Sequence, residues 1–124
     1  MLERVKQSRM PLFVATSKPA VYAERIVEHC GFARHFRGVY GPELDGRFDN
    51  KTELLGHLLT TEGLGAEGAI MVGDRAVDIN AAKTNGMWSI GVLWGYGSQR
   101  ELRDAEPNKL CATPSEVASC IEAI

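Results

Sequence analysis

Two carboxylates follow an apolar run in the segment AIMVGDRAVDI, where Asp74 comes directly after Gly73 and Asp78 lies one helical turn further on. The apolar run predicts a buried strand, and the residues after Asp74 predict a helix. Paired carboxylates at the exit of a strand form an oxygen-rich locus of the kind that Mg²⁺ occupies while it retains several waters. An ordinary structural role is also open, in which Asp74 caps the helix and Asp78 favours its first turn.

Two further polar residues are predicted at the ends of elements. Thr16 follows the apolar segment PLFVA, and Lys51 opens a helix after a polar loop. In open α/β sheets, ligands bind beyond the carboxyl ends of the strands. A hydroxyl, an ammonium and two carboxylates at that edge would suit a phosphoryl group, with its charge neutralised by the lysine and a metal. The ordinary alternatives are a helix cap for Thr16 and a solvated side chain for Lys51.

Strands and helices that could position these residues alternate along the chain. Short apolar runs between segments of helical period predict an α/β fold, with a mostly parallel sheet, flanking helices and a single domain over residues 1–124. We predict strands at 11–15, 39–40, 69–72, 88–93 and 110–112, and helices at 2–8, 19–30, 51–62, 77–85, 99–105 and 115–124. The residues of helix 19–30 predicted to face inward are Val21, Ile26, Val27 and Cys30.

The composition disfavours several classes of partner. The net charge is −2 and the basic residues are scattered, so no basic face indicates nucleic-acid binding. The apolar runs are far shorter than the ~20 residues of a membrane-spanning helix, and the charged opening segment does not resemble a secretory signal. The three cysteines lack metal-ligand spacing, which favours reduced, buried thiols and a cytoplasmic location.

With these motifs, the sequence resembles the haloacid dehalogenase-like (HAD) hydrolases, most closely their phosphoglycolate-phosphatase-like branch. PLFVATSKP is similar to the second motif of the family, GRFDNKTELL to the third and IMVGDRAVDI to the fourth. The resemblance implies a HAD-like Rossmannoid fold and Mg²⁺-dependent hydrolysis of a small phosphomonoester through an aspartyl-phosphate. It implies catalytic roles for Thr16 and Lys51, and phosphoryl binding by both and by Ser17. It also implies a metal site formed by Asp74, with support from Asp78.

The first motif of the family, DxDxT, is not found in this sequence. That motif supplies the nucleophilic aspartate and the acid/base aspartate, and the segment from Leu2 resembles the helix that precedes the second motif. The first strand, the nucleophile and the cap domain are therefore expected upstream of Met1. In the family fold that strand is central, between the strands that end at Thr16 and Asp74. Its absence predicts a gap of about 10 Å, or two strand spacings.

Three arrangements would resolve this gap. The chain is part of a longer phosphatase, or it recruits a strand from a second copy by swapping, or the two flanking strands pair directly.

Two functions are likewise open. One is a phosphatase acting on a small phosphorylated metabolite, with this chain carrying the phosphate- and metal-binding half of the site. The other is an inactive, truncated domain that binds phosphate or assembles into an oligomer. Trp94 and Tyr96 could touch a ligand or only form a glycine-punctuated turn.

Overall fold

Parallel strands and flanking helices form the fold of residues 10–123, the part of the chain described by the computed structural model. The strands are β1 (Phe13–Ala15), β2 (Gly38–Tyr40), β3 (Ile70–Gly73), β4 (Trp88–Val92) and β5 (Lys109–Cys111). The helices are α1 (Ala20–His29), α2 (Lys51–Glu62), α3 (Ala76–Thr84), α4 (Gln99–Ala105) and α5 (Pro114–Glu122). The predicted α/β class is confirmed. The predicted helix 2–8 lies outside the described residues, and no described helix could cross a membrane.

The strands form two separate ladders. In the first ladder, β1 lies parallel to β2, with Val14 opposite Val39. In the second, β4 lies between β3 and β5 and is parallel to both, with Val72 opposite Ile90. Within residues 10–123, no ladder joins β1 to β3. The arrangement in which these two strands pair directly is therefore wrong for the described part of the chain.

The ladder β3–β4–β5 is covered by helices, and most of the core lies in these strands and in the helices packed against them. Ile90 is fully buried and packs with Cys111 and with Val117 of α5. A second cluster joins α3 to α4 through the fully buried Ile79 and Leu102. Each such side chain contributes roughly 1.5–3 kcal/mol when it leaves water. These contacts fix β3 and α3, which carry the two aspartates of the fourth motif.

Helix α2 lies between the two ladders and starts where the sequence predicts. The side chain of Asn50 accepts a hydrogen bond from the Glu53 N–H at 3.1 Å, and the helix ends at Gly63 in the left-handed conformation, with φ 66°. One face of α2 is buried through Leu54, Leu55, Leu58 and Leu59. On the side of the first ladder, the Tyr40 hydroxyl donates to Glu62. Lys51 is therefore held at the first position of a well-anchored helix.

Helix α1 buries less than the sequence predicts. Val21 is 41% exposed and Ile26 is 47% exposed, whereas Ala23 is buried. Cys30 is also exposed, so its predicted burial as a small apolar residue is wrong; Val27 is half-buried. The ladder beside α1 has only two strands of three residues each, which gives these apolar positions too little surface to pack against.

Candidate functional site

An open cleft of about 670 Å³ lies beside the carboxyl ends of β1 and β3. The five residues predicted for the site line this cleft: Thr16, Ser17, Lys51, Asp74 and Asp78. They come from two ladders and from two helices, so their proximity depends on how α2 and α3 pack against each other and against the strands. The structure thus brings the predicted set together around one cavity.

Lys51 is a buried cation in the cleft. Its side chain is 6% exposed, and Nζ donates to the carbonyl oxygen of Ala15 at 2.8 Å and pairs with Asp78 Oδ1 at 3.1 Å. Burying a charge is costly unless it is paired and hydrogen-bonded, and these two acceptors meet that need. The solvated alternative for Lys51 is therefore wrong. Because an ammonium group has three N–H donors, one remains for an acceptor in the cleft.

Asp78 is held by donors from two elements. Oδ1 pairs with Lys51, and Oδ2 accepts a hydrogen bond from the backbone N–H of Arg75 at 3.3 Å. The second contact satisfies a free N–H at the start of α3, so the ordinary role predicted for Asp78 is also present. Gly73 makes this packing possible, because a Cβ at that position would lie only 2.3 Å from the Asp78 Cβ. Asp78 therefore orients Lys51 and secures the start of α3 at once.

Asp74 is fixed by the turn that follows β4. Its Oδ2 accepts a hydrogen bond from the Tyr96 N–H at 2.9 Å, and its carbonyl oxygen accepts one from the Gly97 N–H at 3.0 Å. A Cβ on Gly95 would lie 2.3 Å from the Asp74 Cβ, so the turn must approach with glycine. The N-cap of α3 is Arg75, so the capping alternative for Asp74 is wrong. Within residues 10–123, Asp74 Oδ1 makes no hydrogen bond.

Thr16 extends the first ladder and keeps a donor for the cleft. Its N–H donates to the carbonyl oxygen of Tyr40 at 2.9 Å, and its Oγ1 accepts from the Lys18 N–H at 3.1 Å. The N-cap of α1 is Pro19, so Thr16 is not the helix cap of the ordinary alternative. A hydroxyl that accepts one hydrogen bond can still donate its proton. Ser17, the next residue, is exposed at the edge of the cleft.

An ion pair that the sequence does not reveal anchors the start of α3. Arg75 Nε lies 2.8 Å from Glu101 Oε2, and the same carboxylate oxygen accepts from the Ala76 N–H at 2.8 Å. The hydrogen bonds that Arg75 donates to Glu101 lower the pKa of Glu101, and the same bonds raise the pKa of Arg75. Ser98 caps α4 by accepting a hydrogen bond from the Glu101 N–H, whereas the Glu101 side chain reaches a helix far away in sequence. No local signal indicates this partner.

The acidic groups fit part of a magnesium site. No three His, Cys, Asp or Glu residues among those described are grouped so that they could hold a metal. Mg²⁺ commonly uses one or two carboxylates and retains several waters, so a smaller protein ligand set suffices. Among the described residues, none donates to Asp74 Oδ1, whereas both oxygens of Asp78 already have donors. The donor chemistry therefore fits Asp74 as a direct ligand and Asp78 as its neighbour in support.

Comparison with known proteins gives consistent matches. Residues 1–92 match a family model described as "Haloacid dehalogenase-like hydrolase". A "5'-nucleotidase" of Pseudomonas aeruginosa is 45% identical over 122 residues, which are 98% of this chain and 55% of that protein. A "Phosphoglycolate phosphatase" of Vibrio cholerae is 34% identical over 110 residues, covering 86% of this chain and 47% of that protein.

A solved structure gives the same result at the level of the fold. It is described as "a predicted phosphatase from Clostridium acetobutylicum" and superposes with a TM-score of 0.96 at 34% identity. The superposition covers 99% of this chain and 57% of the other. The chain thus spans about half the length of the curated relatives it matches.

Proposed function

Because this chain belongs to the haloacid dehalogenase-like hydrolase family, we propose that it carries the phosphate- and metal-binding half of a phosphatase site. The substrate is a small phosphomonoester, and the metal is Mg²⁺. The observation that carries this proposal is the buried ammonium of Lys51, which uses two donors on Ala15 and Asp78 and keeps the third for the cleft.

Each polar residue has a role in this proposal. Lys51 and the Thr16 hydroxyl donate to phosphoryl oxygens, where fixed donors stabilise the charge that develops in the transition state. Ser17 contributes a further hydroxyl at the cleft edge. Asp74 holds the metal through its unengaged oxygen, and Asp78 keeps Lys51 oriented. Mg²⁺, when bound, supplies positive charge that offsets the charge of the phosphoryl group.

The family resemblance implies covalent catalysis by an aspartate. In that chemistry a carboxylate oxygen attacks phosphorus, the ester P–O bond breaks, and the leaving oxygen takes up a proton. Water then hydrolyses the aspartyl-phosphate to release phosphate and restore the carboxylate. We assign neither the nucleophile nor the proton donor to any described residue. The named relatives act on different substrates, a 5'-nucleotide and phosphoglycolate, so both are candidate classes.

A second function is favoured by the two separate ladders. An incomplete sheet has open strand edges, which tend to pair with other chains. On this basis the chain would be an inactive domain that binds phosphate or assembles into an oligomer, by strand swapping for example. The cytoplasmic location and the self-association remain predictions.

The proposal is tested by calorimetric titration of the 124-residue chain with inorganic phosphate, with Mg²⁺ and with chelator. We expect binding that requires Mg²⁺ and is lost in Asp74→Asn. Asp104→Asn is the matched control, because Asp104 is exposed on α4 and does not line the cleft. Phosphate binding that is unaffected by both chelator and Asp74→Asn would contradict the metal assignment, and no binding at all would contradict the proposal.

Hydrolysis of an aryl phosphate separates the two functions. Chelator-sensitive turnover that disappears in Asp74→Asn would assign a nucleophile to this chain and support the phosphatase. Phosphate binding without turnover would leave this chain with the binding half alone. In that case, sedimentation over a range of concentrations tests whether the open edges drive self-association.

A further inference from the structure

Two of the three cysteines are in contact at the β5 edge of the second ladder. Cys111 ends β5 and Cys120 lies in the last turn of α5, and their Sγ atoms are 3.7 Å apart. Cys111 is fully buried and Cys120 is half-buried, whereas Cys30 is exposed. Neither residue of the pair lines the cleft. Two sulfurs in contact can form a bond after only a small movement of their side chains.

The chain between the two sulfurs is held by hydrogen bonds at the start of α5. Thr113 Oγ1 accepts from the Glu116 N–H at 3.3 Å, and Glu116 Oε2 accepts from the Ala112 N–H at 2.8 Å. Behind this turn, Cys111 belongs to a buried cluster of the core, and Cys120 packs against that cluster. The contact between the sulfurs therefore follows from the packing of α5 on β5.

The two thiols differ in access and in acidity. Burial, followed by the hydrogen-bonding contact with Cys120, raises the pKa of the Cys111 thiol to about 11. Cys111 is therefore almost entirely protonated near neutral pH, and the thiolate is the reactive form of a cysteine. Cys120 is half-buried, so an oxidant in solution reaches its sulfur first. A reachable thiol beside a second, resolving thiol is the arrangement found in redox-sensing cysteines.

We propose that Cys111 and Cys120 form a reversible disulfide, so that the edge formed by β5 and α5 is a redox site whose oxidant is a small-molecule disulfide. This inference does not rest on the proposed phosphatase function. The bond ties the last turn of α5 to β5. In a reducing compartment such bonds are usually transient and serve catalysis or redox sensing.

The exchange takes place in two balanced steps. Cys120 loses its proton to water and attacks one sulfur of the oxidant, whose S–S bond breaks, and the departing half takes up a proton. Cys111 then loses its proton and attacks Cys120 Sγ, and the second half of the oxidant leaves as a thiol. One small disulfide is thereby reduced to two thiols while the two cysteines are oxidised to one disulfide.

Tryptic digestion separates this pair from the third cysteine. Cys111 and Cys120 share the peptide 110–124, whereas Cys30 lies in the peptide 26–34. The native 124-residue chain is equilibrated with oxidised and reduced glutathione, then alkylated and digested for mass spectrometry. We expect the peptide 110–124 to lose the two thiol hydrogens and to resist alkylation. Dithiothreitol should reverse both changes, and Cys30→Ser should behave like the wild type.

The equilibrium constant of the exchange tests the geometry. A disulfide that fits the fold stabilises it, so by linkage the constant should be roughly 30-fold or more higher in the folded chain than in urea. Cys111→Ser should stop at a mixed disulfide between glutathione and Cys120. Cys120→Ser is a second variant that leaves the buried position intact, and its Cys111 should stay unmodified in the folded chain.

Three outcomes would overturn the inference. One is an equal constant in the folded and the unfolded chain, and another is a mixed disulfide on Cys120 that persists in the wild type. The third is a dimer linked through Cys30 while the peptide 110–124 is fully alkylated. Phosphate binding is measured separately, so none of these results would decide the proposed function.

Discussion

The ladder β3–β4–β5 contains strand residues such as Ile90 that are fully buried, whereas all six residues of β1 and β2 are only half-buried. The helices differ in the same way. The side chain of Thr113 caps α5 and that of Ser98 caps α4, but no side chain caps α1. The region around β3–β4–β5 therefore combines side-chain helix caps with a buried core. The region around β1 and β2 has less of both.

This difference explains how the candidate site is built. Asp74 and Asp78 come from the well-packed region and are positioned by its core. Thr16 comes from the less buried region, and Lys51 connects the two because its ammonium contacts Ala15 on one side and Asp78 on the other. The site thus lies at the junction of a well-packed region and a weakly covered one. The contacts of Lys51 across that junction should therefore contribute strongly to the free energy of unfolding, although they are few.

The largest expected effect is from breaking the ion pair at the junction. Lys51→Met leaves the Asp78 carboxylate buried without its cation, which should cost about 3–5 kcal/mol in the free energy of unfolding. Urea denaturation measures this loss. The double variant Lys51→Met/Asp78→Asn should recover part of it, because the uncompensated charge is gone. Lys109→Met, at an exposed position on β5, is the control and should stay within about 0.5 kcal/mol of the wild type. A Lys51→Met variant as stable as this control would contradict the claim that the Lys51–Asp78 contact between the two regions stabilises the fold.

A matched pair of isoleucines compares the two regions directly. Ile90→Ala removes a fully buried side chain from β4 and should lower the free energy of unfolding by about 2–5 kcal/mol. Ile26→Ala removes a side chain that is 47% exposed on α1 and should cost under about 1 kcal/mol. Both values come from urea denaturation of the same chain. Equal losses would mean that α1 is covered as completely as β4, and the contrast would be wrong.

A pair of glycines tests how tightly the turn at Asp74 is packed. In Gly97→Ala the new Cβ would lie 2.0 Å from the Asp74 carbonyl oxygen, so the backbone must shift at a cost of about 1–3 kcal/mol. Gly65 has φ −79° and open space around it, so Gly65→Ala should instead stabilise by about 0.4–1 kcal/mol. Thermal unfolding of both variants checks the opposite signs. A neutral Gly97→Ala would show that the turn does not constrain Asp74.

The smallest expected effect concerns pH and the first ladder. Burial raises the pKa of Tyr40 to about 12, with a further contribution from its hydrogen bond to Glu62. The folded state therefore favours the neutral phenol. This contribution is complete below the ordinary value of 10.0 and is lost as the pH rises towards 12. Stability should fall less between these values in Tyr40→Phe than in the wild type. An identical pH dependence in denaturant titrations would contradict the burial of this phenol.

Much of this architecture can be predicted from the sequence alone. The start of α2 at Lys51 follows from the cap at Asn50, and its end follows from Gly63, because these signals act within one helical turn. The strand that precedes Asp74 follows from its apolar run. The order and spacing of the motifs also predicted five of the residues that line the cleft. All of these inferences depend on neighbours along the chain or on a recognised pattern.

Only the tertiary structure decided which of these residues touch. The pairing of Lys51 with Asp78, the hydrogen bond from Tyr96 to Asp74 and the reach of Glu101 to Arg75 all join residues that are distant in sequence. The exposure of α1 is of the same kind, because its apolar pattern predicts a buried face whether or not a neighbouring strand is there to cover it. A sequence pattern specifies which surface seeks burial, and the packing of the whole chain determines what buries it.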